Sequence, residues 1–160
     1  MKTRPVSVTR QSRRILLPVI VGGLSAGIVD AALAFYLFGW GMPRHIASGL
    51  LGASALHGGA GIWILGLVCH FSIMLIVASL YGLASFRLSF LRSNYVVCGI
   101  ACGIADFLVM NLVVVPLSAD PSPVGPFTVS SLIHGIIETI FTTGLPISWS
   151  FHYFSEPNGP

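Results

Sequence analysis

The sequence predicts an all-α membrane protein, a four-transmembrane-helix bundle built from two tandem hairpin repeats. Only 8% of its 160 residues are charged and 54% are hydrophobic, whereas soluble domains carry about 25% charged residues. Four apolar stretches are long enough to cross a hydrocarbon core of about 30 Å. The first and third stretches also share one glycine and aspartate pattern. This composition excludes a soluble enzyme, a disordered chain and a disulfide-stabilised scaffold.

The predicted membrane domain covers 15–150, between a basic tail at 1–14 and a short tail at 151–160. A transmembrane helix needs about 20 residues at a rise of 1.5 Å each. A further apolar stretch, 46–56, is too short to span, and its Ala, Ser and Gly content suits a short re-entrant or interfacial helix. The stretches that are long enough are 15–39, 61–85, 95–117 and 127–150.

Prolines indicate where the predicted helices end or bend. A proline inside a helix removes a hydrogen bond and clashes with the preceding turn, so the third helix is expected to stop near Pro116. Pro18 is expected in the first turns of the first helix, where its missing N–H costs little. Pro146 is a candidate for a kink near the far end of the fourth helix.

The basic residues predict the orientation, because cytoplasmic flanks of membrane spans carry an excess of Lys and Arg. Seven of the eight Lys and Arg residues flank one side of the predicted spans, and the other side has only Arg44. Both termini and the link between the second and third spans are therefore expected on the cytoplasmic side. The first span exceeds the apolar core of an export signal and contains Asp30, so it is expected to persist as a helix. The basic residues on the predicted cytoplasmic side are Lys2, Arg4, Arg10, Arg13, Arg14, Arg87 and Arg92.

The cysteines Cys69, Cys98 and Cys102 all lie within predicted spans. Cys98 and Cys102 stand one turn apart on one helix, so a disulfide between them would brace nothing. We expect small packing residues, with a thiolate metal site as the alternative.

An internal repeat is suggested by two GxxxGxxD segments at an offset of 76, with Gly23 and Gly27 in the first span and Gly99 and Gly103 in the third. Each copy is followed by a helix that contains a histidine. Glycines four apart leave a groove where another helix approaches closely, so the first and third helices are expected to meet through these grooves. The alternative is that each motif is only a packing seam.

Five ionisable residues are predicted near the middle of the membrane. By helix length, Asp30 and Asp106 lie about 22 and 17 Å from the cytoplasmic ends of their spans. Counted from the other side, His70, His134 and Glu138 lie at roughly 14, 10 and 16 Å. His134 and Glu138 are four apart and share a helix face. Because exposure of such groups to lipid is costly, we expect them to turn inward and form a polar centre.

Three interpretations of this polar centre remain open. Its residues could hold helices together through hydrogen bonds, they could carry protons or a small solute, or His70 and His134 could bind haem or a metal. No nucleophile with an oriented base is evident, so we do not expect an enzyme. The expected partners are the lipid bilayer and either further copies of the chain or other membrane subunits, for which the protein would be an accessory or assembly subunit. Nucleic acid is not expected.

From Gly66 to Ile147 the sequence resembles small uncharacterised bacterial inner-membrane proteins of the YagU-like kind. This resemblance implies a bacterial inner membrane and no particular chemistry. It rests on the segment Gly66-Leu67-Val68-Cys69-His70, on Tyr81, on Met110-Asn111-Leu112-Val113-Val114-Val115-Pro116-Leu117 and on His134.

Overall fold

The computed structural model describes residues 8–121 and 128–155, with side chains from Ile15 onward, and these ranges are helical without any strand. Residues 1–7 of the predicted basic tail, the predicted start of the fourth span at Phe127 and residues 156–160 lie outside the described residues.

The described chain forms four long helical runs and several short helices. Short 3₁₀ segments, Gly39–Gly41 and Ala53–His57, flank α2. Glycines with positive φ lie at both ends of α2, Gly39 at 67° and Gly52 at 72°, and let the chain turn there. The α-helices are α1 Val8–Phe38, α2 Met42–Leu51, α3 Ala60–Arg87, α4 Phe90–Ser93, α5 Tyr95–Val109, α6 Val115–Leu117, α7 Val129–Thr139 and α8 Leu145–Tyr153.

Three helical runs in the described ranges are long and apolar enough to cross a membrane: Ile15–Leu51, Ala60–Arg87 and Tyr95–Leu117. The first run includes α2, which covers most of the predicted re-entrant stretch. The predicted fourth span falls on α7 and α8, which form one continuous helix with more Ser, Thr and His. The protein is thus all-helical in its described part and has the apolar helices of a membrane protein.

Two π-helical turns, Met110–Val114 and Ile140–Gly144, join α5 to α6 and α7 to α8. Each ends two residues before a proline, Pro116 or Pro146. Since a proline ring clashes with the carbonyl four residues back, a wider turn at that point relieves the clash. The third helix then ends at Leu117, directly after Pro116.

The expected position of Pro18 in the first turns of the first helix is wrong. α1 begins at Val8, so Pro18 lies inside it. Residues 8–17 contain no proline or glycine, so the helix extends upstream of the apolar stretch. The carbonyl oxygen of Pro18 accepts a hydrogen bond of 3.0 Å from Ser150 Oγ on α8.

Each glycine groove packs against the next long helical run along the chain. α1 packs along α3, and α5 packs against the π turn Ile140–Gly144 and α8. Phe71 fills the space over Gly27, and the backbone of Ile140 lies over Gly103. The expectation that the first and third helices meet through these grooves is wrong, because side chains and backbone of the following helices already occupy them. Likewise, Leu75 lies over Gly23, and Ser148 and Leu145 lie over Gly99.

Hydrogen bonds show which helix ends lie together. At one end, the N–H of Ala119 donates to Gly49 O on α2 at 2.8 Å. At the opposite end, Tyr81 Oη donates to Leu91 O at 2.9 Å, and His152 Nδ1 lies 2.7 Å from Arg92 O. The long helices therefore alternate in direction.

The buried face of α3 is narrow and contains small and polar residues, whereas its outer face is apolar. Ile64, Ile76 and Leu80 are more than half exposed. This inverted pattern suits a helix surrounded by lipid. The buried stripe consists of Gly66, His70, Met74, Ala78, Tyr81, Gly82 and Ser85.

The contact between α2 and α3 predicts a large effect of one methyl group at Gly66. A Cβ there would lie 1.8 Å from the carbonyl oxygen of Pro43, and backbone cannot move aside cheaply. We expect Gly66→Ala to lower the free energy of unfolding in detergent by about 1–3 kcal/mol. Gly61→Ala on the same helix is the control, since nothing lies within 4 Å of its Cβ position. Equal unfolding midpoints for the two variants would contradict this packing.

Candidate polar site in the helix bundle

His70 lies at the centre of the contact between α1 and α3. Its position in the buried stripe of α3 turns the imidazole towards α1, and only 5% of the residue is exposed. Nε2 lies 3.0 Å from Gly27 O and 3.9 Å from Asp30 Oδ2. Gly27 and Asp30 are three residues apart and therefore share one face of α1. The imidazole thus contacts a backbone carbonyl and a carboxylate of the same helix.

Asp30 joins the first two long helices to the fourth. Thr142 Oγ1 donates a hydrogen bond of 2.8 Å to Asp30 Oδ1, while Oδ2 faces His70. The Asp30 side chain is 20% exposed, so it is mostly but not fully buried. One carboxylate therefore receives groups from two other helices.

Asp106 on α5 is buried and pairs with the residue next to Thr142. The Asp106 carboxyl lies within interaction range of the Thr143 hydroxyl and of Asp30, and Thr143 Oγ1 also lies 3.9 Å from Met74 Sδ. Thr142, Thr143 and Gly144 are buried in succession in the π turn. Because successive side chains diverge less in a π turn than in an α-helix, both threonines can face the interior. The turn thereby presents one hydroxyl to each aspartate.

Glu138 and His134 differ in their placement, although they share a face of α7. Glu138 is partly buried, and its charge interacts with that of Asp30. The ring of His134 is exposed, and its Nδ1 lies 2.7 Å from the carbonyl oxygen of Ser130 on the same helix. The structure brings Asp30, His70, Asp106 and Glu138 into one region, whereas the His134 ring turns back onto its own helix.

The two histidines of the haem or metal hypothesis have different surroundings. His70 is buried against Gly27, and His134 is exposed beside Ser130. Within residues 8–121 and 128–155, no group of three or more His, Cys, Asp and Glu side chains is arranged to hold a metal ion. Cys69, Cys98 and Cys102 are free thiols, and Cys98 packs in the apolar core beside Met74 and Tyr81.

Three threonines complete the site and were missed in the sequence. Thr142 and Thr143 contact the aspartates, and Thr139 Oγ1 donates to Gly103 O at 2.9 Å. Hydroxyls within an apolar span are a recognisable signal, because they hydrogen bond across helices in membranes. The spacing of the threonines in the sequence does not indicate which residue of another helix each hydroxyl contacts.

The bond between Thr142 and Asp30 predicts a specific loss of stability. Thr142→Val keeps the side-chain shape and removes the donor, so we expect it to lower the free energy of unfolding by about 0.6–2 kcal/mol. Thr142→Ser keeps the hydroxyl and serves as the control. Unfolding in detergent measures both, and a valine variant as stable as the serine variant would count against the bond.

Comparison of the chain with protein-family models, with curated proteins and with solved structures gave no match. The resemblance to YagU-like proteins therefore stays a prediction, and a function has to be argued from the contacts of the polar site.

Proposed function

We propose that this protein is a four-span membrane protein whose polar site carries protons between the two sides of the bundle. Three helical runs already have the length and hydropathy of membrane spans. At 1.5 Å per residue, the continuous helix Val129–Tyr153 is also long enough for a core of about 30 Å. Its threonines Thr142 and Thr143 face the aspartates of the other helices, which supports a place within the same membrane domain.

The observation that carries the proposal is the buried pair of Asp30 and His70, 3.9 Å apart. An imidazole changes its charge near neutral pH, and ionisable groups inside membrane bundles are typical of proton pathways. Asp106 and Glu138 extend the site, since their charges interact with that of Asp30. A proton is favoured over a larger solute because His70 and Asp106 are both less than a tenth exposed. The proposed role is non-enzymatic, because no nucleophile with an oriented base is evident in the sequence.

Two tandem hairpins are supported by a matching pair of contacts. In the first hairpin, His70 Nε2 lies 3.0 Å from the carbonyl oxygen of Gly27. In the second, Thr139 Oγ1 donates to the carbonyl oxygen of Gly103 at 2.9 Å. Gly27 and Gly103 are equivalent in the sequence repeat. By these contacts the counterpart of His70 is Thr139, whereas the sequence repeat alone suggested His134.

The proposed location is the bacterial inner membrane, with both termini in the cytoplasm. Arg92 lies at the same end of the bundle as the close of α8, where its carbonyl oxygen meets His152. Arg44 lies at the other end, where Nε donates to Gly58 O at 2.8 Å. The excess of basic residues at the first end supports its cytoplasmic assignment.

A second candidate is an accessory subunit in which the same residues only hold helices together. It is favoured by the observation that the Asp30–Thr142 bond and the His70–Gly27 contact each join two helices. Its partners would be the other subunits of a larger membrane complex. Purification in mild detergent from native membranes tests this candidate, which requires a stoichiometric partner; a monodisperse homo-oligomer speaks against a larger complex.

The proton hypothesis predicts a loss of flux in Asp30→Asn. Removal of the carboxylate beside His70 is expected to lower proton flux by roughly 10²-fold, the lower end of what a positioned acid–base group contributes. The flux is measured with a pH-sensitive dye in proteoliposomes under an imposed potential. Asp120→Asn, in the loop after α6, is the control and should leave the flux unchanged. If both Asp30→Asn and Asp106→Asn conduct like the wild type, the polar site is not a proton pathway.

A further inference from the structure

We infer that the proton-accepting atom of the site is His70 Nδ1, that Asp30 is its counterion, and that the Asp106 half of the site is a hydrogen-bonded copy without a histidine. This inference rests on the proposed function and assigns unequal roles to its residues. It is carried by the contact of His70 with Gly27, in which the backbone carbonyl can only accept a hydrogen bond.

The contact of His70 with Gly27 fixes the tautomer of the ring. A backbone carbonyl oxygen only accepts hydrogen bonds, so the 3.0 Å contact to Gly27 O requires a hydrogen on Nε2. The neutral imidazole then carries its lone pair on Nδ1. A proton that arrives binds Nδ1 and gives an imidazolium, while the Nε2–H bond to Gly27 stays in place. Release from Nδ1 restores the neutral ring, and no other bond changes.

Nδ1 is both unbonded and reachable. Among the described residues, the hydrogen-bond contact of the His70 ring is made by Nε2, and none is found for Nδ1. No fully buried side-chain nitrogen or oxygen in the described ranges lacks a hydrogen-bond partner. Nδ1 therefore belongs to the small exposed part of the His70 side chain. An atom that exchanges protons has to be accessible in this way.

Asp30 is placed to stabilise the imidazolium. Its Oδ2 lies 3.9 Å from Nε2, and its Oδ1 accepts the hydrogen bond from Thr142. From the fourth helix, Glu138 acts on Asp30 through its charge. The buried residues that α2 contributes against α3 are not ionisable; they are Met42, Pro43, Ala47 and Ser48. Asp30 is thus the ionisable side chain that contacts the His70 ring.

The second half of the site has no corresponding base. Thr139 takes the place of His70 on the equivalent carbonyl, that of Gly103, and Thr143 interacts with Asp106. Threonine hydroxyls do not change charge in the physiological pH range. Asp106 therefore lies among fixed hydroxyl groups, and its replacement should affect proton uptake less than replacement of His70.

The experiment combines NMR with flux. In ¹⁵N-histidine-labelled protein in nanodiscs, with the His70 signals identified by their loss in His70→Gln, we expect the Nε2–H tautomer at high pH and protonation of Nδ1 on acidification. His70→Gln keeps a side-chain amide that can donate to Gly27 but cannot titrate, so flux should fall by roughly 10²-fold. Asp106→Asn should lower the flux by a clearly smaller factor than His70→Gln does.

The results distinguish a failure of the accepting-atom assignment from a failure of the proposed proton transport. An Nδ1–H tautomer at high pH, undiminished flux in His70→Gln, or an equal loss in Asp106→Asn would each overturn the inference. If the wild type conducts no protons but Nδ1 titrates as described, the proposed function fails and the assignment of the accepting atom stands. The tautomer assignment does not depend on the folding of His70→Gln, because replacing the other four histidines, His45, His57, His134 and His152, isolates the His70 signals in protein that keeps His70.

Discussion

The hydrocarbon interior of a membrane offers no hydrogen-bond partner, so the buried polar groups of a span have to find one within the protein. This constraint explains the arrangement of the bundle. Asp30 receives the Thr142 hydroxyl, His70 meets the Gly27 carbonyl and Thr139 meets the Gly103 carbonyl. In the described ranges no buried side-chain nitrogen or oxygen is left without a partner. These contacts join different helices, so satisfying the polar groups also sets how the helices pack.

Small residues and wide turns make these contacts reachable. Gly27 has no side chain, which lets the ring of Phe71 approach α1. His70, the residue before Phe71, then reaches the carbonyl oxygen of Gly27. The π turn Ile140–Gly144 brings Thr142 and Thr143 inward together. Pro146 lies two residues after this turn and gives a physical reason for it, since the ring cannot be accommodated by a regular α-helix without a clash. A proline outside the site thereby supports the geometry inside it.

Much of the fold and part of the site could be predicted from the sequence. Apolar length located the helices, because hydrocarbon thickness fixes the length of a span, and the cost of an ionised group in lipid predicted that Asp30 and Asp106 turn inward. Helix pairing could not be predicted, since a GxxxG groove does not specify which helix fills it. Sequence order matched His134 with His70, whereas the contacts match Thr139 with His70. The number of residues between two positions does not show which face of a helix a side chain occupies when the helix contains a π turn, as this one does at Ile140–Gly144.

The central claim is that Asp30 and Thr142 interact directly inside the bundle, and a double-mutant cycle tests it most directly. Unfolding in detergent is measured for the wild type, Asp30→Asn, Thr142→Val and the double variant. A direct hydrogen bond predicts a coupling free energy of about 0.6–2 kcal/mol between the two positions. Additive effects, with no coupling, would contradict the account, because the carboxylate and the hydroxyl would then not meet.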